Sequence, residues 1–184
     1  MIRAAFTHIP SLWLLVLLCL SVSALSAHAE TGEYQVKAAM VYNMIRFMDW
    51  PEDALPATAS QLTICVAGTG PLGAGMGGLQ GKLVKGKIIA LRQLEPTAGT
   101  TGCQVLVMSD LDKPATNRLL EKSRSSAVLT VADSAGFARS GGVVGFVLSD
   151  GKVRFEVNQV AAQRHKIRIS AQLLKLARIV QEAP

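Results

Sequence analysis

Three groups of side chains in this sequence have types and spacings that could support chemistry. They are the cysteines Cys65 and Cys103, the G-x-G-x-x-G run from Gly68 to Gly73, and the alternating polar residues Arg154, Glu156 and Asn158. Two thiols can form a disulfide, a glycine-rich turn can hold a phosphate, and alternating polar residues can line one face of a strand. Each group also has an ordinary structural role.

The glycine run directly follows Leu62 to Ala67, a short apolar and β-branched stretch typical of a buried strand. This is the sequence context of a dinucleotide-binding turn. Pro71 and the later glycines Gly75, Gly77 and Gly78 would form a poor helix after the turn, and no acidic residue follows at a strand end about 20 positions on. We therefore interpret the run as a mobile glycine-rich loop that could present N–H groups to an anion, and we expect no cofactor.

Arg154, Glu156 and Asn158 would point to one face of a strand, whereas Phe155 and Val157 would point to the other. An exposed Arg–Glu pair is one interpretation of this pattern. The other is a binding role for Arg154 and Glu156, with Phe155 and Val157 in the core. The residues alone leave both open.

Nucleophilic and metal chemistry find little support in the sequence. No serine stands in a G-x-S-x-G elbow, and acidic pairs such as Asp110 with Asp112 fall at loop or strand ends, where carboxylates usually cap the backbone. His165 lies among cations, and the other two histidines, His8 and His28, fall in an N-terminal leader. We therefore expect no catalytic residues, no metal site and no enzymatic activity.

The N-terminal segment, Met1 to Ala29, has the features of a secretory signal peptide. Arg3 supplies the positive charge, Leu12 to Leu20 the apolar core, and Ala27-His28-Ala29 a small-x-small cleavage site. The alternative, an uncleaved membrane anchor, is less favoured because the apolar core is shorter than the roughly 20 residues that a spanning helix needs. The sequence thus predicts an exported protein that is cleaved after Ala29 and has one domain over residues 30–184.

The net charge of +6 is moderately basic. Nucleic-acid binding proteins of this size combine clustered cations with stacking aromatic residues. Here one group of cations, Lys82 to Arg92, lies on a hairpin-like stretch, another, Arg164 to Arg168, precedes a helix, and only 5% of the residues are aromatic. We interpret these cations as solvated faces and expect no nucleic-acid partner. A basic surface could instead bind acidic partners or anionic lipid head groups.

Cys65 and Cys103 are the two cysteines that remain after signal cleavage, because Cys19 lies in the leader. An even number of cysteines in an oxidising compartment predicts a disulfide. If their two strands are neighbours, the bond would be strained and more easily reduced, which would suit a redox-responsive element. A structural bond and a regulatory bond therefore remain as alternatives.

Hydrophobic periodicity predicts alternating helices and strands. A first helix spans Glu33 to Met48, with one face formed by Val36, Met40, Asn43, Met44 and Phe47. Strands are predicted at Leu62 to Ala67, Lys87 to Leu91, Cys103 to Met108, Ala127 to Val131, Gly142 to Leu148 and Lys152 to Val157. Further helices are predicted at Lys113 to Ser123 and Ser170 to Val180.

The turn Ser149-Asp150-Gly151 should join the last two strands into an antiparallel hairpin, because Asp-Gly is a strong hairpin signal. The whole pattern predicts the α/β class. We expect an α/β/α sandwich with a mixed five- or six-stranded sheet and a C-terminal helix.

A series of short motifs occurs in a specific order along the chain. They are Tyr42-Asn43, Arg46-Phe47, Trp50-Pro51, Ile64-Cys65-Val66, Cys103-x-Val105-Leu106, Val128 to Val131, Phe137-x-x-x-Gly141-Gly142, Arg154 to Asn158 and Ile169 to Ala177. Their joint order resembles the YfiR-like family of small exported bacterial proteins. The resemblance covers essentially the whole mature chain, from Tyr34 to Val180.

The resemblance implies a periplasmic α/β/α sandwich that commonly forms a homodimer. It also implies a repressor that binds the periplasmic sensor domain of an inner-membrane diguanylate cyclase, with oxidation of cysteines at the positions of Cys65 and Cys103 modulating that control. The sequence departs from the family in two places. A cysteine-rich segment that some members carry before the Gly-Gly hairpin is absent, and the stretch from Gly70 to Gly81 is unusually rich in glycine.

A second function remains in competition. The protein could be a periplasmic small-ligand-binding module linked to an outer-membrane receptor or transporter, with Trp50, Arg154, Glu156 and Asn158 around a pocket. Adjacency of the gene to a cyclase gene would favour the regulator, and adjacency to a receptor or transporter gene would favour the ligand-binding module.

Overall fold

A computed structural model of the chain describes residues 32–95 and 97–182. The chain divides into two units, Met1–Glu33 and Tyr34–Pro184, and the fold described below is that of the second. The predicted signal peptide lies outside the described residues. Within them, no helix has the length and apolar character needed to span a bilayer.

The described residues contain ten strands and five helices. The strands are β1 Met48–Asp49, β2 Gln61–Ala67, β3 Leu83–Val84, β4 Lys87–Leu94, β5 Val105–Met108, β6 Leu129–Ala132, β7 Val144–Ser149, β8 Lys152–Asn158, β9 Arg168–Ile169 and β10 Arg178–Val180. The helices are α1 (residues 32–46), α2 Pro71–Gly75, α3 Lys113–Ser123, α4 Gln159–Arg164 and α5 Ala171–Leu174, and two 3-10 turns lie at Met76–Leu79 and Ala138–Ser140.

Eight of the strands form one mixed sheet in the order β10-β8-β7-β6-β5-β2-β4-β3, and β1 pairs with β9 in a separate two-stranded sheet. Neighbours from β4 through β2, β5 and β6 to β7 run parallel. All six predicted strands lie in this sheet. The main sheet exceeds the predicted five or six strands because the short strands β3 and β10 extend its two edges.

Alternate residues of the central strands enter two separate cores on opposite faces of the sheet. Ile64 of β2 and Val105 of β5 pack in the first core with α1, α2, α4 and α5. Cys65 and Leu106 pack in the second core with α3 and Phe137. Helices thus cover both faces, and the predicted α/β/α sandwich is confirmed.

The first helix has the predicted period, but only part of its predicted face is buried. Met44 is buried and Met40 packs against the core. Val36 and Phe47, expected inside, are 49% and 37% exposed. The buried positions on and just after α1 are Lys37, Ala38, Val41, Met44, Ile45 and Met48. The buried face is rotated because apolar side chains occur around much of this helix, so that packing against the sheet decides which of them are covered.

The C-terminal helix predicted over Ser170 to Val180 is also wrong in most of its length. Ser170 does cap a helix, since its hydroxyl accepts a hydrogen bond from the Leu173 backbone N–H at 3.3 Å. That helix, α5, ends at Leu174, and Arg178–Val180 forms β10 beside β8. Pairing with β8 satisfies the backbone of this segment and buries Val180 to 5% exposure, which outweighs local helical spacing.

Candidate functional site

The β7–β8 hairpin positions the predicted polar face. The turn at Asp150-Gly151 has positive φ at both residues, 53° and 68°, as a two-residue hairpin turn requires. The resulting register places Val147 opposite Arg154 and Gly145 opposite Glu156. Arg154, Glu156 and Asn158 therefore share one face of β8, as their spacing predicts.

Glu156 is the centre of this face. Its side chain is 5% exposed, and its carboxylate oxygen Oε1 lies 3.7 Å from Arg139 Nη2 and 3.4 Å from Arg178 Nε. Arg139 belongs to the 3-10 turn Ala138–Ser140, and Arg178 stands in register with Glu156 on β10. Sequence reasoning missed both arginines, because neither the turn nor β10 is adjacent to β8 along the chain.

We call Arg139, Arg154 and Arg178 the arginine cluster. The side chains of Arg139 and Arg178 are 45% and 66% exposed, so they reach solvent while they contact the buried carboxylate. Arg154 is exposed and makes no hydrogen bond or ion pair within the described residues. Arg139 and Arg178, together with Arg154 two residues before Glu156 on the same face of β8, leave an excess of positive charge at this surface. Guanidinium groups bind carboxylates in a bidentate geometry.

Asn158 and Trp50 both form hydrogen bonds that support the fold. Asn158 caps α4 by accepting a hydrogen bond from the Ala161 N–H at 2.9 Å, and it donates one to the Ala138 carbonyl at 2.8 Å. Trp50 donates its indole N–H to the Gln104 carbonyl at 3.0 Å, beside the start of β5. Since β5 is three strands away from β8 in the sheet, Trp50 lies apart from Arg154, Glu156 and Asn158.

Cys65 and Cys103 form a disulfide with a Cα–Cα distance of 5.7 Å. Cys65 lies on β2 and Cys103 lies just before the neighbouring strand β5, and both are buried. Arg92 stands in register with Cys65 on β4. Its Nη2 lies 3.3 Å from the sulfur of Cys65 and 3.0 Å from that of Cys103, and it also donates to the Thr101 carbonyl at 2.6 Å.

Sequence reasoning did not connect Arg92 with the cysteines, because their pairing depends on the strand order. Arg92 thus links both sulfurs of the disulfide to the Thr101 carbonyl, in the segment that precedes β5.

The glycine run has a structural explanation that differs from the predicted mobile loop. A helix, α2, does begin at Pro71, contrary to expectation, and Gly73 is buried in it. A Cβ atom at Gly68 would lie 2.0 Å from the Ser109 carbonyl oxygen, and one at Gly73 would lie 2.6 Å from Val66 Cγ1. The glycines thus permit close packing of the turn and α2 against strand ends.

Comparison with known proteins supports the same family that the motifs indicate. No curated protein sequence matches the chain at a significant level. The model of the YfiR/HmsC-like family matches residues 34–178, which is nearly all of the second unit. The chain therefore belongs to the YfiR/HmsC-like family, whose members are periplasmic regulators of cyclic di-GMP signalling.

Proposed function

We propose that this protein is exported to the periplasm, where it binds and represses the sensor domain of an inner-membrane diguanylate cyclase. Membership of a regulatory, non-enzymatic family supports this function. The arginine cluster beside Glu156 is the observation that assigns this function to specific residues. In this proposal Arg154 and its two neighbours bind carboxylates on the partner, and Glu156 holds the arginines in place.

The unpaired state of Arg154 supports a binding role. Arg139 and Arg178 each have a carboxylate nearby, whereas the Arg154 guanidinium has no protein partner among the described residues. An exposed guanidinium group has no protein contact to give up when it binds an acidic surface. Complementary charges chiefly accelerate and orient association. Partner binding should therefore weaken as the salt concentration rises.

A redox contribution to this control rests on the Cys65–Cys103 bond and Arg92. The bond ties β2 to the segment before β5, and Arg92 links both sulfurs to Thr101 in that segment. Reduction would remove the covalent link between this segment and β2, and the hydrogen bonds between Gln104 and Thr63 would then hold the two together. We therefore expect oxidised and reduced protein to differ in affinity for the cyclase domain.

A homodimer is also part of the proposal, and the exposed side chains next to β10 support it. Strand β10 is at one edge of the main sheet. Leu176, just before it, is 74% exposed, and Ile179, within it, is 46% exposed. Apolar side chains at a sheet edge favour association with another chain. Sedimentation equilibrium of the exported protein should give twice the monomer mass, and Ile179→Lys should reduce it to the monomer mass.

The central experiment is a pull-down of membrane partners from the native cell, using the exported protein as bait. The wild-type protein should capture an inner-membrane diguanylate cyclase. Arg154→Glu should lose this partner with little change in melting temperature, because the exposed Arg154 side chain makes no hydrogen bond or ion pair with the described residues. Arg46→Glu is the matched control, because Arg46 is an exposed arginine on α1, which covers the opposite face of the sheet.

Capture of the cyclase by Arg154→Glu at the wild-type level would refute the role of the arginine cluster. Absence of any cyclase from the wild-type capture would refute the proposed partner. The ligand-binding alternative has no support from the arrangement of Trp50, Arg154, Glu156 and Asn158, because the structure does not place them around one pocket.

A further inference from the structure

A crevice of about 410 Å³ lies at the carboxyl ends of the parallel strands, remote from the arginine cluster in the sheet order. Its lining includes Met108 to Leu111 after β5, and Asp133 and Ser134 after β6. Tyr34 and Pro71 contribute from the side of α1 and α2. Its size falls within the range of small-molecule sites in proteins.

The position of this crevice follows from the chain path. From β2 the chain passes through α2 to β4 on one side, whereas from β5 it passes through α3 to β6 on the other side. Leu72 of α2 packs in the first core and Leu119 of α3 in the second, so the two connections cover opposite faces. Strand order therefore reverses between β2 and β5, and open α/β sheets bind ligands in the crevice at such a reversal.

The charged groups of the crevice differ in whether they already have partners. The Asp133 carboxylate is held by Lys37, whose Nζ lies 2.7 Å from Oδ2 and whose side chain is 6% exposed. Asp112, the next acidic residue after Asp110, accepts a hydrogen bond from the Ala115 N–H as the cap of α3. The Asp110 carboxylate makes no hydrogen bond or ion pair with any described residue. It is therefore the charge in this crevice that remains available to a ligand.

The backbone holds Asp110 in an unfavourable conformation. Its φ is +56°, a left-handed value that side chains other than glycine adopt at a cost. The glycine run packs closely against Asp110, since a Cβ atom at Gly70 would lie 2.5 Å from Asp110 Cβ. The glycine run that resembles a phosphate-binding motif thus positions a carboxylate at the crevice, and a carboxylate repels phosphate.

The geometry points to a binding site for a small organic ammonium ion in this crevice, with Asp110 as the residue that binds the cationic nitrogen. Ser134, which is exposed at the rim, offers a hydroxyl group to the rest of such a molecule. The charged ammonium–carboxylate hydrogen bond provides selectivity for a cation over a neutral molecule. This site is independent of the proposed cyclase binding, because no residue of the arginine cluster lines it.

The test is a titration of the exported protein, labelled with ¹⁵N, with 4-amino-1-butanol, followed by amide chemical shifts. The neutral compound 1,4-butanediol has the same length and serves as the ligand control. The amine should produce saturable shifts centred on Ser109 to Leu111 and on Asp133 and Ser134, and the diol should not. Equal responses to both compounds, or no saturable response to the amine, would overturn the proposal.

Two variants separate binding from folding. Asp110→Asn keeps the shape of the side chain and should weaken binding of the amine about three- to fivefold, because the ion pair with this exposed carboxylate is lost. Asp110→Gly should do the same while the melting temperature stays equal or rises, because glycine adopts a positive φ without strain.

The matched control is Asp150→Gly. Asp150 also has a positive φ, +53°, but it lies in the β7–β8 turn away from the crevice. This variant should show the same relief of backbone strain and an unchanged affinity for the amine. Wild-type affinity in both Asp110 variants would refute the assignment of Asp110, whatever the outcome of the cyclase pull-down.

Discussion

At the scale of single residues, the ion pairs of Glu156 join one buried partner to two exposed partners. The carboxylate is buried, whereas its two guanidinium partners reach solvent. Removing the carboxylate leaves two hydrated cations, but removing both arginines leaves a buried anion with no counter-charge. The second change should cost more, because a buried charge without a partner is strongly unfavourable.

We therefore predict that Glu156→Gln lowers the free energy of unfolding by less than about 1.5 kcal/mol. The double variant Arg139→Ala with Arg178→Ala should lower it by about 3 kcal/mol or more, the range found when a buried carboxylate loses its partners. Urea unfolding of both proteins at pH 7 measures the difference. The opposite order of stabilities would show that Glu156 contributes through packing and not through charge.

His165 is a second residue whose burial has a measurable consequence. It is 3% exposed, and its Nδ1 lies 2.9 Å from the Ser126 carbonyl oxygen. Burial, aided by the charges of Arg164 and Arg124, lowers the pKa of His165 below its ordinary value of 6.5, although the carbonyl contacts oppose this shift. The folded protein thus binds a proton at His165 less readily than the unfolded chain does.

The sign of the pH dependence follows from this difference. As the pH falls through about 6.5, the unfolded chain binds a proton at this position more readily than the folded protein does. The free energy of unfolding should therefore decrease as the pH falls from 7.5 to 5.5. His165→Gln should show a shallower decrease over the same interval. Chemical unfolding at several pH values compares the two proteins, and parallel curves would contradict this contribution of His165.

At the scale of elements, the Cys65–Cys103 disulfide joins two segments that lie 38 residues apart in sequence. A cross-link over a loop of this size stabilises a fold by about 3 to 4 kcal/mol on the chain-entropy estimate. If the bond is structural, Cys103→Ser should lower the urea midpoint by a corresponding amount. Non-reducing mass spectrometry of the wild-type exported protein should also show a mass two hydrogens below that of the dithiol.

The two possible roles of this bond give different results. A structural bond predicts the full loss of stability in Cys103→Ser. A regulatory bond predicts a small loss of stability together with a change in affinity for the cyclase domain. Two free thiols in aerobically purified protein would exclude both roles.

The segment before β7 provides a second prediction for an element. Gly142 lies against the ring of Phe137, and a Cβ atom at Gly142 would be 2.1 Å from its Cε1 atom. Phe137 is 2% exposed and belongs to the second core, so its ring has little space to move. Gly142→Ala should therefore destabilise the fold by about 1 to 3 kcal/mol, as measured by thermal or urea unfolding.

Gly78→Ala is the control for this change, because a Cβ atom at Gly78 would meet no atom within 4 Å. It lies in the 3-10 turn Met76–Leu79 and has no positive φ. Its stability should stay within about 0.5 kcal/mol of wild type, the usual range of surface substitutions. Equal losses in the two variants would argue against the Phe137 contact as the cause.

At the scale of the whole molecule, the prediction is export with cleavage after Ala29. The small-x-small site Ala27-His28-Ala29 at the end of an apolar segment is the basis for it. N-terminal sequencing of protein from the periplasmic fraction should begin at Glu30. Recovery of a species that begins at Met1 in the membrane fraction would support an uncleaved anchor instead.

Much of the fold follows from local sequence. The helix predicted over Lys113 to Ser123 has those same bounds in the structure, because Asp112 caps it and Pro114 suits its first turn. The β7–β8 hairpin follows from its Asp-Gly turn, and the common face of Arg154 and Glu156 follows from the period of a strand. These features depend on residues close in sequence, so the sequence by itself determines them.

Tertiary structure alone decided which elements meet. The buried face of α1, the strand at Arg178–Val180, the two arginines beside Glu156 and the contact of Arg92 with the disulfide all depend on the strand order. The crevice at Asp110 likewise exists because two chain connections leave β2 and β5 in opposite directions. Local sequence patterns specify whether a segment forms a helix or a strand and which side chains share a face. Which elements pack together depends on the burial of whole faces, to which residues far apart in sequence contribute.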